Sequence, residues 1–156
     1  MSKSLKRVIA ALHCAELAVD VLEMHSDTRT AQQAALAAGC EIDQIAKSII
    51  FRGQSSQQAV LFITAGGNQV EPVRAAAVAH EPLARADATF VRQKTGFAIG
   101  GVAPIGHETT TKVFFDPRLL HFEQIWAAAG TPRHIFSTDP QDLARISKAQ
   151  VIDFTA

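Results

Sequence analysis

Two apolar runs stand almost back to back in this chain: "KSIIFRG" from Lys47 and "QAVLFITAGG" from Gln58. Both are rich in β-branched and aromatic residues, and both end in glycine. Only the polar stretch "GQSSQ" separates them. Runs this short and this apolar read as buried strands, and the spacing makes them a hairpin. A paired, well-buried hairpin at this place requires a sheet, with the rest of the chain covering its faces.

The flanking segments supply that cover. Leu5, Val8, Ile9 and Leu12 follow the i, i+3, i+4, i+7 spacing of an amphipathic helix over Ser4–Cys14. "LAVDVLEM" reads as a short strand and "HSDTRT" as a polar turn. Thr30, the run "AQQAALAA" and Gly39 give a cap, a helix former and a C-terminal glycine in order. Glu41–Ala46 is expected to add one helical turn. Pro72 opens a helix through "VRAAAVAH", and "ATFVRQKTG" is a second short helix ended by Gly96. "TKVFFD" is a strand stopped by Asp116-Pro117, and "FEQIWAAAG" and "RHIFST" are two more apolar runs around Gly130-Thr131-Pro132. Asp139-Pro140 starts a last helix, and "AQVIDF" is a last strand. Strands that follow one another this often favour a mixed α/β (α+β) fold. Its centre is a mixed, barrel-like sheet surrounded by helices, not a doubly wound parallel sheet. One domain is expected over residues 1–156, with no repeat or linker.

Charge narrows the function. Fifteen basic residues balance fifteen acidic ones, which speaks against a bulk-basic nucleic-acid binder and gives no reason to expect DNA. A local patch from Lys47, Arg52, Arg92, Lys94 and Lys112 is compatible with that balance. No signal peptide and no run of about 18 apolar residues is present, so a membrane partner is not expected and the cytoplasm is the expected compartment. Cys14 and Cys40 each stand alone, without CxxC or Cys/His spacing. The six histidines form no HExxH and no i, i+4 pair, so neither a metal nor another cofactor is expected. There is no GxSxG elbow, P-loop or GxGxxG fingerprint.

Two features remain. Lys47 opens an otherwise apolar strand, where it is either a solvated charge or a fixed cation for an anion such as phosphate. The segment "GFAIGGVAPIGHETT", from Gly96, carries four of the nine glycines. It is either a structural turn or a loop whose main chain, freed by glycine and fixed by Pro104, meets a ligand. His107 and His134 each follow a Gly/Pro turn that could present them to a cleft.

Three blocks in order, "TAQQAALAAGCEIDQIAKSIIF", "TGFAIGGVAPIGH" and "AAAGTPRHIF", resemble the YbaK/prolyl-tRNA-synthetase-associated editing domain family. The resemblance covers the chain from about Thr30 onward. It implies a mixed sheet curled towards a barrel, and a free-standing hydrolase that deacylates mischarged tRNA for proline in trans. The family's key lysine matches Lys47. Its GxxxP loop matches Gly100, Gly101, Val102, Ala103 and Pro104. A histidine near the second Gly/Pro turn matches His134. Ser48 stands where alanine-specific relatives tend to carry asparagine, and joins the substrate-binding set. The resemblance implies that the loop holds the aminoacyl group and terminal ribose, and that Lys47 contacts the tRNA 3′ end. It also implies hydrolysis by water and the ribose hydroxyl, without a protein nucleophile. The partners implied are the mischarged 3′ end and prolyl-tRNA synthetase. Alanine or 2-aminobutyrate is the expected amino acid. The alternatives are a deacylase of cysteinyl-tRNA for proline and a non-catalytic module that binds a tRNA end or small ligand. Ile49, Phe97 and Ile105 are candidate walls for size selection.

Overall fold

The computed structural model describes residues 2–156. Its centre is the hairpin of the two apolar runs. Strand β2 (Ile45–Gly53) pairs antiparallel with β3 (Ala59–Ala65), from Ala46 opposite Ala65 to Arg52 opposite Ala59. Glu81 holds the intervening loop, accepting from the backbone N–H of Ser55 and Ser56 and from the Ser56 hydroxyl.

The sheet is mixed and has eight strands among the described residues. On one side of the hairpin, β5 (Lys112–Phe115) runs parallel to β3, and β8 (Gln150–Val151) runs parallel to β5. On the other side, β6 (Ile125–Thr131) meets the start of β2 in parallel. β6 forms a hairpin with β7 (His134–Thr138), and β7 pairs with β1 (Val21–Glu23). The last strand, β4 (Leu83–Arg85), pairs with the end of β2. The outer edge of β2 is therefore shared. β6 takes Ile45 and Ala46, β4 takes Phe51 to Gly53, and Lys47 to Ile50 have no strand beside them on that edge.

Five helices surround the sheet among the described residues. The first, α1 (Lys3–Cys14), buries Leu5, Val8 and Leu12, the face its spacing predicts. In α2 (Ala31–Ala38), Thr30 and Gln33 form a reciprocal capping box, and Gly39 ends the helix at φ +69°. Next come α3 (Pro72–Ala79), α4 (Ala88–Thr95) and α5 (Pro140–Ile146), capped by Glu71, Asp87 and Asp139. The main core lies between α1 and the sheet and contains Leu61, Ile63, Phe97, Phe115 and Phe136. A second cluster under α3 stacks Phe62 on Phe114, with ring centroids 5.3 Å apart, and sets Phe154 edge-on at 4.8 Å.

Three expectations change. The turn expected over Glu41–Ala46 is a 3₁₀ turn of Ile42–Gln44 only. At Ile45 the chain goes extended, because pairing with Trp126 of β6 takes over. The β2 run, expected to be buried, is buried only at Ile45, Ala46 and Gly53. Its middle faces the unfilled edge. The strand expected over "LAVDVLEM" shortens to three residues.

Candidate active site

The gap along β2 opens into a cavity of about 530 Å³. Its volume lies within the range of about 300–1,000 Å³ usual for small-molecule sites. Ile45, Ile49, Val91, Trp126 and Ile135 give it apolar walls, and Ala34 of α2 and Ala86 close its flanks. Among the described residues, the only ionisable side chains in this lining are Lys47 and Arg29. It includes no carboxylate, imidazole or thiol.

Lys47 is half-buried on β2. Burial pushes its ammonium below the ordinary lysine value, and the charges of Asp116 and Asp43 oppose that shift. Those two carboxylates are already occupied. Asp116 accepts from Ala65 N, Asn68 Nδ2 and Arg118 N. Asp43 accepts from Gly67 N and from Arg118 Nε at 3.0 Å. Both act on Lys47 through space, and the ammonium remains available to a ligand. Beside it, Ser48 lines the cavity, and its buried hydroxyl has no partner among the described residues. An unmet polar atom of this kind costs about 1–3 kcal/mol.

Gly100 and Val102 reach the cavity from the glycine-rich loop. Gly100 sits at φ +93°, and a Cβ there would meet the Arg29 side chain at 3.0 Å. The backbone of the loop and the stem of Arg29 are thus stacked at the cavity mouth. A Cβ on Gly101 would meet the Thr131 backbone at 2.9 Å, so this residue lets the loop lie against the β6–β7 turn. Ala103 and Pro104 point elsewhere: Ala103 is wholly buried, and Pro104 lines a second cavity of about 290 Å³ behind the loop.

His134 is not part of the cavity lining. Its Nδ1 is 2.5 Å from the Thr131 hydroxyl, and its Nε2 lies 4.0 Å from Glu23. It secures the turn against which Gly101 rests. Of the candidate walls, Ile49 lines the cavity, Phe97 is wholly buried in the core, and Ile105 faces the second cavity. The candidate basic patch is partly engaged. Arg52 lies over the Phe90 ring at 5.9 Å, and Lys112 donates to the Ala79 carbonyl.

The sequence reading missed one side of the site. Thr28, Arg29 and Thr30, in the segment that reads as a polar turn, line the cavity. Thr28 pins them there, its N–H and hydroxyl both donating to the Pro132 carbonyl at 2.7 Å. The signal was an arginine placed directly before a strong helix cap. Trp126 falls within the apolar run "FEQIWAAAG".

With this geometry in hand, comparison with known proteins assigns the class. The family model for the aminoacyl-tRNA editing domain matches residues 25–146, and the chain belongs to that family. A crystal structure of a protein provisionally described as a trans-editing enzyme for prolyl tRNA synthetase superposes with a TM-score of 0.92. It is 40% identical and covers 100% of this chain and 99% of its own. The uncharacterized protein YwhH of Bacillus subtilis is 29% identical over 132 residues, covering 85% of this chain and 83% of that protein. A hypothetical protein of known structure, only 23% identical, shares the fold with a TM-score of 0.88.

Proposed function

We propose that this chain is a trans-editing deacylase that hydrolyses the ester of tRNA for proline mischarged with a small amino acid, alanine or 2-aminobutyrate. The observation that carries this is the cavity at the broken edge of β2. It combines apolar walls, a Lys47 ammonium without a partner among the described residues, a second cation at Arg29, itself paired with Asp27, and the main chain of Gly100. The similar structure described as a trans-editing enzyme supports the same substrate class.

The roles follow from the positions. Lys47 and Arg29 bind phosphate oxygens of the 3′ end as point charge and fork. The apolar walls take the amino acid side chain. The orphan Ser48 hydroxyl meets a polar group of the aminoacyl moiety and so recovers its lost hydrogen bond. Main-chain groups of Gly100 and Val102, where the loop reaches the cavity, hold the ester and terminal ribose. Water attacks the carbonyl carbon, the bond to the ribose oxygen breaks, and that oxygen leaves with a proton. The lining offers no side-chain base, so the neighbouring ribose hydroxyl orients the water. His134 acts at one remove, through the turn that supports the loop. An extra methylene changes affinity by only about 1–3 kcal/mol, so sparing of prolyl-tRNA must come from steric rejection of the ring.

The test is a panel of alanyl-, 2-aminobutyryl-, cysteinyl- and prolyl-tRNA for proline. Release of alanine or 2-aminobutyrate, with proline retained, is expected. Faster release of cysteine moves the substrate assignment. Salt-sensitive binding without release from any of the four makes the chain a binding module.

A further inference from the structure

Helix α1 lies before the span that the editing-domain model matches. One of its side chains nevertheless reaches both ends of the glycine-rich loop. Arg7 Nη2 donates to the Gly96 carbonyl at 2.8 Å, and Arg7 Nε donates to the Gly106 carbonyl at 3.1 Å. Its third nitrogen stands 3.4 Å from Glu108. The guanidinium carbon lies 4.9 Å from the centroid of Phe97, which is itself wholly buried. There is no room for a side chain at Gly96, where a Cβ would strike Arg7 Nη2, nor ease at Gly106, where it would meet the α1 backbone at 3.2 Å. The loop stems are thus built to be gripped by this helix.

A second brace holds the middle of the loop. His107 packs edge-on to Phe97 at 5.3 Å, and its Nε2 lies 2.6 Å from the Ala103 carbonyl. A carbonyl only accepts, so Nε2 carries the proton of that bond. Burial pushes the ring below the ordinary histidine value. Between these braces, only the short span that presents Gly100 and Val102 to the cavity is left to be shaped.

We propose that Arg7 is a positioning residue of the editing site: its planar fork clasps both stems of the Gly96–Gly106 segment and so fixes the main chain offered to the substrate. The inference rests on the reading of Gly100–Pro104 as the substrate loop. A purely structural tie between helix and sheet does not need Arg7, because Leu5, Val8 and Leu12 already bury α1 against the core. Two donors on one rigid group can set the distance between two carbonyls, and a lysine cannot.

The experiment compares Arg7→Ala, Arg7→Lys and the parent in deacylation, together with quenching of the single tryptophan, Trp126, which stands in the cavity wall. Both variants are expected to fold, to lose about 10–100-fold in kcat with KM little changed, and to admit quencher more readily. Millimolar methylguanidinium is expected to restore part of the Arg7→Ala activity. Parent-like turnover in Arg7→Ala overturns the proposal. So does a loss that follows the folded fraction alone, with no rescue. If the parent releases no amino acid, the editing reading fails separately. Trp126 quenching and amide exchange over residues 98–104 still decide the clasp, and no change in either overturns it. Should Arg7→Ala not fold, Arg7→Lys carries the same readouts.

Discussion

Strands β2 and β3 are neighbours of similar composition with opposite fates. Every residue of β3 is buried, whereas β2 is half-exposed from Lys47 to Arg52. The difference is not in their hydrophobicity. β3 has a strand along each edge, β2 on one side and β5 on the other. β2 has one complete edge and one divided between β6 and β4. A strand with a neighbour along each edge supplies core. A strand that leaves a gap supplies a binding wall, because unpaired main chain there needs another partner.

The contrast can be broken most forcefully at Ile49 and Phe62, which face each other in register. Phe62→Ala should cost about 3–5 kcal/mol in urea unfolding, and Ile49→Ala less than about 2 kcal/mol. Equal costs would erase the distinction between the strands. Next in size is Lys47→Ala, expected to lower kcat/KM for the edited tRNA about 100-fold, as for loss of a main charge-stabilising group. The same strand position should gain stability from Lys47→Met. Burial disfavours the ammonium, so its folded value lies below the ordinary 10.5. Between those two values the unfolded chain holds more proton, and this group's contribution to stability rises with pH. Below both, the full cost of the buried charge is present, so thermal melting of Lys47→Met at neutral pH should occur at or above the parent Tm. By the same shift, activity should decline on the alkaline side earlier than for an exposed lysine, read from the pH profile of kcat/KM.

Smaller effects test the loop. A Cβ at Gly101 would press on Thr131. Gly101→Ala should therefore cost about tenfold in turnover, in keeping with a slight misplacement. His134→Ala should do least, about threefold or less, because it removes one hydrogen bond worth about 0.5–1.5 kcal/mol outside the cavity. A loss as large as that of Lys47→Ala would place His134 in direct contact with substrate.

The sequence reveals those parts whose causes are local. The hairpin, the capped α2 and the Asp139-Pro140 start of α5 are all where their punctuation puts them. β4 is not legible, because "LAR" becomes a strand only by pairing with the end of β2. Lys47, Ser48, Gly100 and Val102, singled out by motif resemblance, line one cavity. Arg29 is not legible, since its place depends on a Thr28–Pro132 contact spanning 104 positions of chain. Motif contiguity does not resolve which loop residues reach the cavity: Gly101, Ala103 and Pro104 belong to the same motif and are not part of its lining.

The divided edge of β2 carries a kinetic consequence. The β2–β3 hairpin closes over a few residues, whereas β6 joins β2 only after a separation of about eighty. Distant closures pay their entropy late in folding. The cavity wall then consolidates after the hairpin. Substitutions in it, such as Ile135→Val, should speed unfolding and leave the folding rate nearly unchanged, as stopped-flow emission of Trp126 can show.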